Sequence, residues 1–435
     1  MKKGFSNRLF FIPIIVFIII CCLSACINGK EINTSVNSKE TSEPLIDLTS
    51  MTGSDYSSKT DEPEIIEYRT VADGRAVFAG TCEEGATIYI EHDGKVIMST
   101  KSHYGSFIFE LSVTPQSSPM EVSVYAKAEN KALSESVSGV AYYETDDPGI
   151  SEWVWVGKDF RLFFSATKNN YYRNDVLDNR QEKNAKQRIA ERVTWLDENL
   201  GAKPIYILVP NPNEIYGEYM PDGMVRQFET TSLHEQTVRL LNESGAVVID
   251  MKPILEQHKN DEFAIYHHTD SHWTEYAAFF AYTELFDYIS RSFDASKPRP
   301  IEDFGFRNES RQVGDLYTDL SMDETILYET STFSNISFQT PVGIPKYKND
   351  ISTLIHEEPT KEYTFINPDS TGKPNVIILR DSYSIMMFDF IAERCATTTM
   401  RSMWDFSFDK ALFTELDIDY VIYIICDMNL KNLYK

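Results

Sequence analysis

Four short runs without a charged side chain constrain this chain most: Pro204-Ile205-Tyr206-Ile207-Leu208-Val209, Ala246-Val247-Val248-Ile249, Val376-Ile377-Ile378-Leu379 and Tyr420-Val421-Ile422-Tyr423-Ile424-Ile425. A strand apolar on both faces must be covered on both, which a sheet wetted on one side does not provide. Helical spacing fills the gaps. Ala185, Ile189, Val193, Leu196 and Leu200 recur on one face ahead of Gly201. A second helix is expected around Glu235 to Asn242 with Gly245 as its stop. A third runs from Trp273 to about Ile289, with Ala277, Phe280, Ala281, Leu285 and Ile289 inward. This alternation predicts an α/β domain over residues 150–435: a doubly wound parallel sheet with helices on both faces and ligands at the carboxyl ends of its strands. Periodicity is poor only from about Pro298 to Asp369, a stretch expected to be solvated loop or, alternatively, a lid or acceptor-recognition surface.

Ahead of that domain the pattern changes twice. Residues 1–26 read as a secretory leader: Lys2, Lys3 and Arg8, an apolar run from Leu9 to Cys22, then Leu23-Ser24-Ala25-Cys26. That quartet resembles a bacterial lipobox, which implies a lipidated Cys26 and a protein anchored outside the cytoplasm on the bacterial cell membrane. An ordinary signal peptide and an uncleaved anchor are the other readings, though the run is short for a span and is broken by Pro13. Residues 27–61 are polar and almost free of aromatic residues, which predicts a flexible linker. Residues 62–147 carry alternating segments, with His92-Asp93-Gly94 as a hairpin turn, and predict a small all-β sandwich. The stretch Ala79-Gly80-Thr81-Cys82-Glu83-Glu84-Gly85-Ala86-Thr87-Ile88 resembles bacterial Ig-like modules and implies a spacer or docking module, with glycan or protein binding as the alternative. Asp146-Asp147-Pro148-Gly149 marks the boundary.

The formal charge is −25, and −28 once a leader holding Lys2, Lys3 and Arg8 is gone, which argues against a nucleic-acid partner. Of the cysteines outside the leader and lipobox, Cys82, Cys395 and Cys426 show no metal-ligand spacing. Buried thiols are expected, with a Cys395–Cys426 disulfide as the alternative.

Two polar insertions into the apolar frame carry chemistry. His267-His268-Thr269-Asp270-Ser271-His272-Trp273 precedes the third helix, and Arg380-Asp381-Ser382-Tyr383-Ser384 follows the strand at Val376 to Leu379. A serine hydroxyl becomes nucleophilic when an imidazole takes its proton and a third group fixes the imidazole tautomer. Ser382, His272 and Asp270 can form such a set. Read alternatively, His267, His268, Asp270 and His272 are metal ligands, but that leaves the Ser382 turn unexplained, so neither metal nor cofactor is expected. Asn211 and Asn213 end a strand and offer either turn roles or donors to an oxyanion; Tyr216 is similarly ambiguous. Trp273 reads as core, with a sugar platform as the alternative.

Tyr266-x-x-Thr269-Asp270-Ser271-His272-Trp273-Thr274 with Ala277-Ala278 resembles the Asp-x-His-Trp signature of the SGNH hydrolase-like proteins related to the alginate O-acetyltransferases AlgJ and AlgX and to the bacterial DHHW proteins. Val209-Pro210-Asn211-Pro212-Asn213-Glu214-Ile215-Tyr216, Val248-Ile249-Asp250-Met251 and Gly314-Asp315-Leu316 add to it. The resemblance runs from about Trp153 to the C-terminus. It implies Ser382 as acyl-accepting nucleophile, His272 as general base, Asp270 as its orienter and Arg401 as a further active-site residue. Arg380 stands where relatives often have glycine, and its side chain would crowd the oxyanion side or contact substrate. The implied activity is O-acetyl transfer to a cell-surface or secreted polysaccharide, with acyl groups received through a membrane-bound O-acyltransferase partner. A carbohydrate esterase with the same triad, and an inactive glycan-binding or scaffold protein of a polysaccharide export complex, are the alternatives.

Overall fold

The apolar runs become strands of one seven-stranded sheet in the order Val247–Asp250, Lys203–Val209, Tyr420–Cys426, Asn375–Arg380, Thr397–Ser402, Tyr363–Ile366, Ile344–Pro345. This computed structural model describes residues 46–435 except 54–55, 71–73, 115–118, 144–152, 223, 225, 227–229, 321, 323–326, 335–343, 346–362, 368, 403–407, 409 and 435. The leader and Cys26 lie outside the described residues.

Alternate residues of each central strand enter opposite cores, as a period of two requires. Ile205, Ile207, Ile422, Ile424 and Ile378 pack with the Glu275–Ile289 and Phe388–Arg394 helices. Tyr206, Leu208, Tyr423, Ile425 and Ile377 pack against the Asn179–Leu200 and Leu233–Glu243 helices. Both helices open with a capping box, from Asp178 and Ser232, and Gly201 closes the first in the left-handed region at φ 62°.

The sheet is the expected doubly wound parallel one with an antiparallel edge added. Its first five strands are parallel, but Tyr363–Ile366 and Ile344–Pro345 add an antiparallel edge. The link 367–374 into the Asn375–Arg380 strand is too short for the crossover that a parallel entry needs. The stretch expected to be loop also forms the hairpin Arg307–Gln312 with Tyr328–Phe333 and the short helix Asp315–Asp319. Trp153-Val154-Trp155-Val156 contributes to a separate small hairpin, Val154–Val156 with Leu162–Phe164.

Upstream, seven strands among the described residues form two antiparallel sheets, one of three and one of four. Phe78, Phe107 and Phe109 of one sheet meet Ile88, Ile90, Val122 and Val124 of the other. Residues 46–61, assigned to the flexible linker from composition, partly run along this sandwich. Met51 accepts from Leu133 N at 2.9 Å, and the buried Thr60 hydroxyl accepts from Ala128 N at 3.0 Å and donates to the Ala132 carbonyl at 2.7 Å. These backbone pairings hold the segment where its apolar content alone would not. The cysteines Cys82, Cys395 and Cys426 are free, the last two buried. Among the described residues no helix is long and apolar enough to cross a membrane.

Candidate active site

The histidine run is a closed loop. Tyr266 and Trp273 form an isolated antiparallel bridge, Thr274 N donates to the Ile265 carbonyl at 3.0 Å, and His267 N donates to that of His272 at 3.3 Å. Thr274 caps the helix that follows, which begins at Glu275 rather than at Trp273, and no strand of the main sheet leads into the loop. At its tip Asp270 Oδ1 accepts from His272 N at 3.0 Å and pairs with His272 Nδ1 at 2.8 Å.

Ser382 opens a 3-10 turn, Ser382–Met387, at the carboxyl end of the Asn375–Arg380 strand. Asp381 makes the turn. Its carboxylate accepts from Tyr383 N at 3.1 Å, Cys426 N at 2.7 Å and Asn429 Nδ2 at 3.1 Å, pinning the turn to the neighbouring strand end. The loop and the turn are then tied together: Trp273 Nε1 donates to the Tyr383 carbonyl at 2.7 Å, and Tyr383 OH to that of Ser271. The result places Ser382 Oγ 2.9 Å from His272 Nε2. Both His272 ring nitrogens are thus engaged, one by the serine and one by the carboxylate.

Burial disfavours an imidazolium at His272, but the hydrogen bond and charge of Asp270, with Asp315 and Asp381 behind, lift its pKa to about 9. Burial likewise opposes ionisation of Asp270, and His272, His267 and Arg311 overcome it and hold the carboxyl well below its usual range. The other two histidines are neutral. Burial drives His267 down to about 3 and His268 well below its ordinary value. His267 meets the Ser331 hydroxyl, and His268 Nε2 lies 3.2 Å from Arg161 Nη2. Both orient neighbouring groups, His267 buried and His268 half-buried.

Sequence reasoning missed the groups that hold Asp270 from behind. Arg311 Nη2 donates to Asp270 Oδ2 at 2.8 Å, and its Nε lies 3.1 Å from Glu329 Oε1. Glu329 is wholly buried and accepts from the amides of His268 and Thr269 at 2.9 and 2.8 Å. Burial pushes its pKa up to about 7 against the pull of Arg311. Gly314 abuts the same carboxylate, since a Cβ there would lie 2.4 Å from Asp270 Cβ. Asp315 accepts from Ser271 N at 2.7 Å and from its hydroxyl at 2.6 Å, and Leu316 N donates to the Thr269 carbonyl at 3.0 Å. The Gly-Asp-Leu phrase was the one signal in the sequence, and each of its residues touches the loop.

Of the remaining candidates only Asn213 reaches the cleft. That cleft, about 50 Å³, is lined by Ser382, Ser271, Tyr383, Phe163, Phe164 and Asn213 among others. Thr167 Oγ1 donates to the Phe164 carbonyl and therefore accepts from Asn213 Nδ2 at 2.8 Å, which fixes the amide. Asn211 is buried and donates to Asn170 Oδ1 at 3.3 Å. Tyr216 donates to the Lys259 carbonyl at 3.2 Å, with the Arg161 guanidinium 4.0 Å over its ring. Trp273 is wholly buried, a core residue and tie. Arg380 is buried too, its guanidinium 5.1 Å from the Phe388 ring centre and off the cleft. Arg401 stands on the adjacent strand, in register with Leu379, and does not line the cleft. Among the described residues Asp270, His272 and Asp315 could converge on a cation, their ligand atoms lying within 4.8 Å of one another. Asp270 and His272 are, however, already bonded to each other, and His272 to Ser382.

No curated protein sequence matches this chain. Among solved structures it is similar to Bacillus cereus PatB1 with a sulfonyl adduct (12% identity, TM-score 0.48, covering 65% of this chain and 99% of that one). It is also similar to a DHHW family protein from Eubacterium siraeum (14%, 0.41, 72% and 94%) and to the O-acetyltransferase domain of Pseudomonas putida AlgJ (16%, 0.38, 64% and 91%). Residues 154–362, which hold the Asp270–His272 loop and its Arg311–Glu329 support, match the family described as SGNH hydrolase-like domain, acetyltransferase AlgX.

Proposed function

We propose that the protein is a serine O-acyltransferase that moves acetyl groups to a polysaccharide hydroxyl through an acetyl-Ser382 intermediate. The observation that carries the reading is the continuous relay from Ser382 Oγ through His272 to Asp270, 2.9 and 2.8 Å. His272 takes the serine proton as the hydroxyl attacks the acetyl carbonyl. Asp270 keeps the Nδ1–H tautomer and stabilises the imidazolium that forms. The same imidazolium protonates the departing group. In the second half the acceptor hydroxyl gives its proton to His272 and attacks the acetyl-serine; the bond from the acetyl carbon to Ser382 Oγ breaks, and the imidazolium returns the proton to Oγ. Arg380 is buried beside Phe388 and does not line the cleft. The acetyltransferase named in the family description supports acetyl as the group carried. A membrane-bound donor partner, and anchoring through Cys26, complete the proposal.

The test is incubation of the full chain with an activated acetyl ester, with and without an oligosaccharide. Acetylated oligosaccharide, together with acetyl-Ser382 found by mass spectrometry, is expected. Free acetate unaffected by acceptor would make the protein an esterase. Activity retained in Ser382→Ala would overturn the mechanism.

A further inference from the structure

The relay does not use the sandwich, yet one of its loops reaches the back of the catalytic loop. In the turn Ser102–Ser106 the backbones of His103 and Ser106 pair, His103 N to the Ser106 carbonyl at 2.8 Å and the reverse at 3.1 Å. Tyr104 and Gly105 take the left-handed conformation between them at φ 52° and 71°. The turn thrusts His103 outward, and its ring centre lies 3.7 Å from that of His268, the planes 12° apart. Ser106 Oγ donates to the Tyr328 carbonyl at 3.2 Å. Tyr328 and Thr330 flank Glu329, the carboxylate that holds the His268 and Thr269 amides. Beneath these contacts Val77, Ala79 and Ile108 of the sandwich share one core with Leu162, Leu316, Tyr317 and Leu327. Burial keeps the His103 imidazole neutral, down to about 4, so two uncharged rings stack beside Arg161.

We propose that His103 is a positioning residue of the Ser382 site: the sandwich seats the His267–His272 loop and so directs Asp270 at His272, which makes the β-sandwich part of the acyl-transfer machinery. The proposal rests on the relay reading given above. Its consequence is specific. With His103 gone His268 loses the ring it stacks on, the loop shifts at that end, Asp270 drifts from Nδ1, and a displacement of about 1 Å there costs on the order of a hundredfold in rate. His272 is faced by Asp270 and Asp315 and, from the serine turn, by Asp381, while His267 and Arg311 act on Asp270. Loosening Asp270 removes the largest of the partners that raise His272.

In the full chain, His103→Ala is expected to lower kcat on a soluble acetyl ester by tenfold to a hundredfold (roughly the range for a displaced catalytic group) with KM unchanged. The midpoint of the pH–rate profile should move from about 9 toward the ordinary 6.5. His103→Phe, which keeps a flat ring against His268, should restore both. If His103→Ala does not fold, His103→Leu, with volume but no flat ring, is read the same way. A folded Ala or Leu variant with wild-type kcat and midpoint overturns the proposal, as does a loss that His103→Phe does not repair. The His272 titration, followed by NMR of the imidazole carbons, separates this from failure of the functional reading. If the wild-type chain is inactive the acyltransferase reading falls, and the proposal stands or falls on whether His103→Ala shifts that titration.

Discussion

Asp270 has a partner on each oxygen, His272 on one and Arg311 on the other, and this division of labour sets what each substitution should do. Asp270→Asn keeps the shape but presents an NH2 or a neutral oxygen to Nδ1, so the wrong tautomer becomes accessible. A kcat loss on the order of 10⁴-fold is the precedent for such a change, and an ester-hydrolysis assay at saturating substrate measures it. The wild-type pH dependence follows from the same contact. If His272 is the base, its pKa raised to about 9 predicts that activity climbs as pH rises through about 9. A profile that levels off near 6.5 would show that Asp270 does not hold the imidazole. Gly314→Ala approaches the same pair by crowding. The new Cβ would stand 2.4 Å from Asp270 Cβ and 2.9 Å from its Cα, so the carboxylate must shift, and activity should fall at least tenfold (about 1.4 kcal/mol in barrier) with the fold retained by circular dichroism.

Strand ends and short helices decide how much of this could be read in advance. The Ser382 turn and the Asp270–His272 loop were legible because their chemistry is local, a polar run breaking an apolar frame. The central strands were legible because apolarity on both faces admits few placements. Arg311 and Glu329 were not, because they act on residues about forty and sixty positions away from a stretch without clear periodicity, and only the antiparallel pairing of Arg307–Gln312 with Tyr328–Phe333 puts them behind the loop. His234 was hidden for the same reason. It lies in the Leu233–Glu243 helix and bridges Asp250, which ends one strand, to Asp427, which follows another, at 2.8 and 2.5 Å. Burial opposes its charge, yet Asp427 and Asp250 raise it to about 10. A folded pKa above the unfolded value stabilises fully below about 6.5, and that contribution is lost as pH rises through about 10. His234→Ala should therefore cost about 3–5 kcal/mol near pH 6, as breaking a buried ion pair does. The gap to wild type in urea unfolding should narrow toward pH 10.

Residues 46–435 form one compact unit, and the core that joins its two parts explains why. Val77, Ala79 and Ile108, on the outer face of the three-stranded sheet, are buried against Val154, Phe160, Leu162, Leu316, Tyr317, Leu320 and Leu327. Had the sandwich been a spacer, that face would be polar and the two parts would melt separately. With a continuous apolar contact, separating the parts would expose side chains that have no other cover, at about 25 cal/mol per Å². Unfolding of one part therefore strips the other. Hydrogen bonds add to this at the rim: Arg75 Nη2 donates to the Val154 carbonyl at 2.8 Å, Lys101 N to Asp159 Oδ1 at 3.0 Å, and Asp159 N to the Thr100 hydroxyl at 3.1 Å. Calorimetry of the full chain should accordingly show a single transition whose calorimetric and van't Hoff enthalpies agree. Ile108→Ala, which leaves a cavity in the shared core, should lower the whole transition by about 2–5 kcal/mol of stability without splitting it. Two resolved peaks, with only the first responding to Ile108→Ala, would mean that the sandwich folds on its own account and that its contact with the His267–His272 loop is not maintained by the shared core.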